Sequence, residues 1–102
     1  CTRQAFRFGP NHPESTSLWR TRAGEACAGQ LFPGPRTTLH GLAIERQAAN
    51  GVAGAGVGSK LHYAYNPRPG FVGRDQFVMR IDYEINGQRG ASRVRVDVEV
   101  QR

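Results

Sequence analysis

Apolar and polar residues alternate with a period of two over two stretches near the C-terminus. Phe77, Met79, Ile81, Tyr83 and Ile85 interleave with Val78, Arg80, Asp82 and Glu84, and Val94, Val96, Val98 and Val100 interleave with Arg93, Arg95, Asp97 and Glu99. One apolar face at that period predicts two half-buried strands. Between them lies Ile85-Asn86-Gly87-Gln88-Arg89-Gly90. Asn and Gly tolerate the positive φ of a tight reversal, so the two strands are expected to pair antiparallel as a hairpin.

The same reading extends upstream with weaker patterns. Residues 3–8 place Phe6 and Phe8 on one side and predict a short edge strand. Gly9-Pro10-Asn11-His12-Pro13 is a loop, and residues 16–22 predict a second strand in which only one of the adjacent Leu18 and Trp19 faces the core. A short segment carries Cys27 and Leu31 before Pro33 and Pro35 interrupt any central strand. Residues 37–47 are extended again. Leu39 and Leu42 have opposite parity there, which predicts a bulge or bend at Gly41. Residues 48–59 are expected to be a glycine-rich connection, with Lys60 opening a strand in which Leu61, Tyr63 and Tyr65 share a face. No stretch carries the apolar spacing of a helix. About seven strands joined by Gly- and Pro-rich turns predict an all-β, antiparallel sandwich of two sheets spanning residues 1–102 as one domain.

The stretch ahead of the hairpin carries a resemblance. Tyr65-x-Pro67, then Pro69-Gly70-Phe71-x-Gly73-x-Asp75-x-Phe77, followed by a hairpin and a valine-alternating strand, resembles the C-terminal half of bacterial Ig-like and cadherin-like modules of exported and surface proteins. Leu42-Ala43-Ile44-Glu45-Arg46-Gln47, with Asn50-Gly51 following, is similar to the strand and turn that precede this motif in such modules. The resemblance covers roughly the last 60 residues and implies an Ig-like sandwich that binds or supports and carries no catalytic site. The residues themselves explain the motif. Pro67 and Pro69 stiffen the connection, Gly70 and Gly73 permit tight bends, and the Asp75 carboxylate is expected to accept backbone N–H bonds within the turn. Phe71 and Phe77 are expected to fill the core from either side of the bend.

Charge and cysteine usage refine the expectation. The net charge of +6 arises from 13 Arg and one Lys against eight acids. The arginines are scattered along the whole chain with no basic run, which argues against nucleic acid as a partner and fits the composition of a GC-rich genome. No run of about 18 apolar residues is present to cross a bilayer as a helix. No leader is visible ahead of Cys1, as expected if an export signal has been removed. Cys1 and Cys27 are the only cysteines. In an oxidising compartment the pair predicts one disulfide. A competing role for Cys1 is the lipid-modified first residue of a bacterial lipoprotein, the one route by which this chain is expected to meet a membrane. The two roles exclude each other at the sulfur.

Candidate chemistry is thin. Gly54-x-Gly56-x-Gly58-Ser59-Lys60 lacks the spacing, the residue order and the following helix of a phosphate-binding loop. His12, His40 and His62 are far apart and lack metal-ligand spacing, and no serine sits in a nucleophile motif. No cofactor or metal is therefore expected. The acids of the hairpin alternate with arginines on its outer side, as cross-strand ion pairs do. Arg80, Asp82, Glu84, Arg93, Arg95, Asp97 and Glu99 are expected to line one exposed sheet face, a soluble exterior or a docking face.

Two functional expectations follow. The first is a non-catalytic exported Ig-like domain, periplasmic, cell-surface or secreted, acting as a structural or protein-interaction subunit at the bacterial cell envelope. Its partners would be another protein or identical subunits, joined by strand addition at the final strand or the short first one. The alternative is a carbohydrate-binding module for anionic polysaccharides, in which arginines and an exposed Trp19 or tyrosine carry recognition.

Overall fold

The computed structural model describes residues 1–56 and 61–102. Among these residues eight strands form: β1 (Thr2–Arg3), β2 (Glu14–Arg22), β3 (Cys27–Leu31), β4 (Thr37–Arg46), β5 (Gly51–Ala55), β6 (Leu61–Pro67), β7 (Gly73–Ile85) and β8 (Gln88–Gln101). They make a five-stranded sheet in the order β1-β2-β8-β7-β4 and a three-stranded sheet in the order β3-β6-β5. Apolar side chains from both sheets meet in one core, so the architecture is an all-β sandwich.

The β7–β8 hairpin forms as its alternation predicts. Phe77 faces Val96 and Met79 faces Val94 across the ladder, all of them buried, and the turn runs through Asn86 (φ 53°) and Gly87 (φ 80°). Both central residues of the turn therefore have positive φ, the geometry that matches strand twist and that Asn-Gly tolerates. The bend at Gly41 appears as a register shift between Leu39 and Gly41, and a second shift falls between Ile44 and Arg46.

Several expectations need correction. Eight strands replace about seven, because Gly51–Ala55, expected as part of a connection, pairs with β6 from Gly51↔Pro67 to Ala55↔Tyr63. The sandwich is not wholly antiparallel, since β2 runs parallel to β8 from Glu14↔Arg93 to Arg22↔Gln101. The loop ahead of β2 is fixed on β8: Ser92 Oγ donates to His12 O at 2.7 Å and accepts from Gly9 N at 3.0 Å, while Arg93 N donates to Pro13 O at 2.9 Å. That anchoring sets the direction in which β2 enters the sheet. The strand expected over residues 3–8 shrinks to Thr2–Arg3. Residues 4–8 run on beside β2, held by Gln4 and by Ser15 Oγ donating to Arg7 O at 3.0 Å. The expected start of a strand at Lys60, and the Gly58-Ser59-Lys60 part of the glycine-rich run, lie outside the described residues.

Trp19, not Leu18, turns inward and is fully buried, its Nε1–H donating to Ser17 Oγ at 3.0 Å. Around it the aromatic core is continuous. The ring centroids of Trp19 and Phe77 are 5.4 Å apart in an edge-on pair, those of Trp19 and Tyr63 5.4 Å, and those of Tyr65 and Phe77 5.8 Å in a stack. Phe77 thus packs between the sheets as expected, with Tyr65 beside it, whereas Phe71 is only partly buried at the margin. The Arg68 guanidinium covers Phe71 at 5.8 Å. Phe6 and Phe8 close the flank of the core against Tyr63 and Tyr83, each pair 6.0 Å apart. A disulfide joins Cys1 to Cys27, with their Cα atoms 5.6 Å apart, and ties the N-terminal segment to the start of β3.

Two measurements check this packing. Phe77→Ala removes a ring that contacts both Trp19 and Tyr65 and should cost about 3–5 kcal/mol in urea unfolding; a change within about 0.5 kcal/mol would place Phe77 outside the core. Reduction of Cys1–Cys27 frees a loop closed over a sequence separation of 26 and should lower stability by about 3.5 kcal/mol on a chain-entropy basis. Alkylation before reduction should label neither thiol.

Candidate interaction face

On the outer side of the five-stranded sheet the hairpin charges do share one face. Alternation along β7 and β8 sends Arg80, Asp82, Glu84, Arg93, Arg95, Asp97 and Glu99 away from the buried Met79, Ile81, Val94, Val96 and Val98. Flanking strands add Glu14, Arg20 and Glu45. Six of the chain's eight acids therefore lie on this face, leaving only Glu25 and Asp75 elsewhere.

The pairing of these charges differs from the simple cross-strand expectation. Arg80 stands directly opposite Arg93, a like-charge pair that is unfavourable alone. Each guanidinium is neutralised in another direction. Arg80 Nε contacts Asp82 Oδ1 two residues along its own strand at 3.1 Å, and Arg93 reaches over β7 to Glu45 on β4, Nε to Oε2 at 2.7 Å. Glu45 thereby raises the already high pKa of Arg93, first through the hydrogen bonds and then through its charge. Arg95 pairs with Asp97 along β8 at 3.3 Å, Glu99 with Arg20 of β2 at 3.1 Å, and Glu84 with His40 of β4 at 3.3 Å. All are solvent-exposed, so they order the surface more than they stabilise it.

At one end of the face the loop of residues 47–50 rises above the sheet and borders an open groove of about 700 Å³. Arg46 and Asn50 stand on the loop side, with Arg74, Gln76, Asp97 and Glu99 along the sheet. Asp97 and Glu99 are engaged by Arg95 and Arg20, and Gln76 Nε2 donates to Asp97 at 2.8 Å. Arg46 and Arg74 have no acidic partner among the described residues.

Asp75 holds that loop in place, and here the expected turn is corrected. Its carboxylate accepts from Gln76 N at 2.9 Å, but its other backbone donors come from the distant loop, Ala49 N and Asn50 N at 3.0 Å each. The fourth donor is the buried Tyr65 hydroxyl at 2.7 Å. Burial first, then the hydrogen bond to Asp75 and its negative charge, push the Tyr65 phenol well above its ordinary pKa. The rest of the motif shapes the adjoining bend. Pro67 ends β6, Gly70 (φ 79°) serves the turn closed by Phe71 N donating to Arg68 O at 2.9 Å, and Gly73 (φ 141°) opens β7 under the Phe71 ring.

Other candidates fall apart in space. No group of three or more His, Cys, Asp or Glu suited to a metal occurs among the described residues. Burial removes Trp19 as a stacking platform for a sugar. Sequence reasoning did not single out Glu45, Arg46 or Arg74. The only local signal was Asn50-Gly51, which marks the loop but not its anchor. The chain matches no protein-family model, and no curated protein is similar enough to count as a relative.

Tyr65→Phe should cost about 1–3 kcal/mol, since it leaves a buried carboxylate one donor short. The pH dependence has a definite sign. A phenol with a raised folded-state pKa contributes stability in full below its unfolded pKa of about 10 and loses it as pH rises beyond that value. Denaturant unfolding of the wild type should therefore weaken above about pH 10, and Tyr65→Phe should flatten that decline.

Proposed function

We propose that this chain is a non-catalytic Ig-like module acting as a structural and protein-interaction subunit of an exported bacterial protein at the cell envelope. The strand order supports the Ig-like reading: β2-β8-β7-β4 faces β3-β6-β5, with β2 parallel to β8, as in sandwiches whose first strand crosses to the sheet of the last. The motif from Tyr65 to Phe77 and the Cys1–Cys27 bridge support an extracytoplasmic setting.

The observation that carries the interaction reading is the outer face of the five-stranded sheet. Its charges are fixed in an order that runs along and across four strands, and such a pattern favours a partner of complementary order over any other. Site-specific photo-crosslinking in the producing cell tests it. A probe at Val78, in the middle of this face, should capture one discrete protein, and the product should vanish when Arg80 and Arg95 are changed to Glu. Equal capture from Asn66, on the opposite sheet, would remove the reading.

One observation favours a second reading, the binding of an anionic polysaccharide. Arg46 and Arg74 flank the groove without acidic partners among the described residues, and guanidinium groups suit carboxylates through bidentate bonds. Titration with polygalacturonate, using neutral dextran as control, separates the two. Salt-sensitive binding lost in Arg46→Glu/Arg74→Glu would put the glycan reading first, and no binding at about 1 mM sugar would retire it.

A further inference from the structure

A sandwich of open sheets must dispose of the backbone N–H and C=O groups along its edges, because free ones invite another strand. Three edges here are closed by recognisable means. On β5, the side-chain amide of Gln47 stands in for a neighbouring strand: its Oε1 accepts from Ala53 N at 2.7 Å and its Nε2 donates to Ala53 O at 2.9 Å. On β2, beyond the short β1, Gln4 serves Leu18 with its backbone N–H and its side-chain carbonyl. Gln4 N donates to Leu18 O at 2.9 Å and Leu18 N donates to Gln4 Oε1 at 3.0 Å. On β4, two register shifts break the edge.

The remaining edge, β3, has no such closure among the described residues. Its free groups follow from the ladder. Ala53 spends both backbone groups on Gln47, so they point away from β6, and its partner Tyr65 must direct its own towards β3. Tyr65 faces Cys27, and the alternation then leaves Ala28 and Gln30 with N–H and C=O aimed outward. No hydrogen bond from the described residues reaches these groups. Gln30 adds a buried Nε2 with no acceptor among the described residues. Next to it Phe32 is 73% exposed, the most exposed large apolar side chain of the described residues.

We infer that β3 is a strand-addition edge whose occupant is β3 of a second copy of this chain, paired antiparallel about Gly29. The inference rests on the interaction-module reading and assigns its self-assembly to a definite surface. The edge is complementary to itself. Ala28 falls opposite Gln30 of the second copy, and the reverse, which makes two doubly hydrogen-bonded pairs flanking Gly29. Phe32 then lies opposite the small Ala26 of the other copy. Charge selects the same arrangement. Each molecule carries +6, so two copies meet at least cost where charge is sparse; the Arg3 guanidinium lies against Gly29 on the core side of β3, where it donates to the Tyr63 hydroxyl at 3.4 Å. Among the described residues the β3-β6-β5 sheet presents no carboxylate or guanidinium on its outer side, and Ala28, Ala64 and Gly54 lie side by side across its middle. Joining through β3 makes one continuous sheet and keeps the charged outer faces of the two five-stranded sheets apart. Pro33 and Pro35 end the edge after Phe32, so the contact is short and weak.

The test uses the oxidised, purified chain. Sedimentation velocity from about 10 µM to about 1 mM should show a monomer passing to a dimer. Gln30→Pro removes an N–H that no bond within the described chain uses; it should leave the far-UV spectrum and melting temperature unchanged and hold the protein monomeric throughout. Amide exchange gives a second readout that needs no variant. Ala53 should be protected at every concentration because Gln47 holds it, whereas Ala28 and Gln30 should become protected only as the dimer forms. A wild type monomeric at about 1 mM, or a dimer in which Ala28 and Gln30 exchange as fast as in the monomer, overturns the inference. Arg80→Glu/Arg95→Glu should dimerise as the wild type does, so loss of the crosslink at Val78 and loss of the β3 dimer are separate failures.

Discussion

One carboxylate joins the parts of this sandwich that would otherwise be independent. Asp75 sits at the start of β7 in the five-stranded sheet, accepts from Tyr65 of the three-stranded sheet, and takes two backbone donors from the loop that carries the chain from β4 to β5. A buried carboxylate is costly unless its acceptor sites are filled. Four donors fill them here; Gln76 N is local, and the other three arrive from segments that must already be in their folded place. The bend between β6 and β7, with its glycines at positive φ, brings Tyr65 and Asp75 together. The groove beside Arg46 and Arg74 depends on this arrangement, since its loop wall is the segment that Asp75 holds.

The legible part of the fold is the part written in side-chain alternation. β7 and β8 expose a strict period of two with bulky apolar residues, so both their existence and their inward faces could be read directly. β5 could not. Gly51-Val52-Ala53-Gly54-Ala55 has almost no side-chain contrast between its faces, and it is a strand because β6 pairs one of its edges and Gln47 closes the other. Leu18 and Trp19 posed a parity question that local sequence leaves open. Pairing with β8 resolved it by placing Trp19 beside Val98 on the inward side.

The charged face was legible in membership but not in wiring. Alternation identified which hairpin residues point outward. It could not show that Arg80 opposes Arg93, because register depends on the turn and on every pair above it. Nor could it supply Glu45 as the counter-ion of Arg93. That contact exists because the β4 register slips between Ile44 and Arg46 and presents a carboxylate across β7. Likewise the Asp75 donors lie some 25 residues upstream, beyond the reach of a local turn rule. The cysteine pair was the easiest long-range contact to anticipate, since only one pairing exists.

The valine strand shows why topology has to be known before an edge argument is made. Read alone, β8 is long, regular and free of proline, which are the features of a strand open to addition. In the sheet it lies between β2 and β7, so both of its edges are occupied. Its regularity belongs to an interior strand, which needs unbroken ladders on both sides. The true edges look different in sequence: β4 is irregular, and Gln4 and Gln47 are polar residues beside short strands. A glutamine amide presents an N–H donor beside a C=O acceptor at nearly the spacing of a peptide group, so that of Gln47 satisfies both edge-facing groups of Ala53 where a further strand would leave the edge open again. Exposed edges are therefore to be sought where such a substitute is missing, and among the described residues β3 is that place.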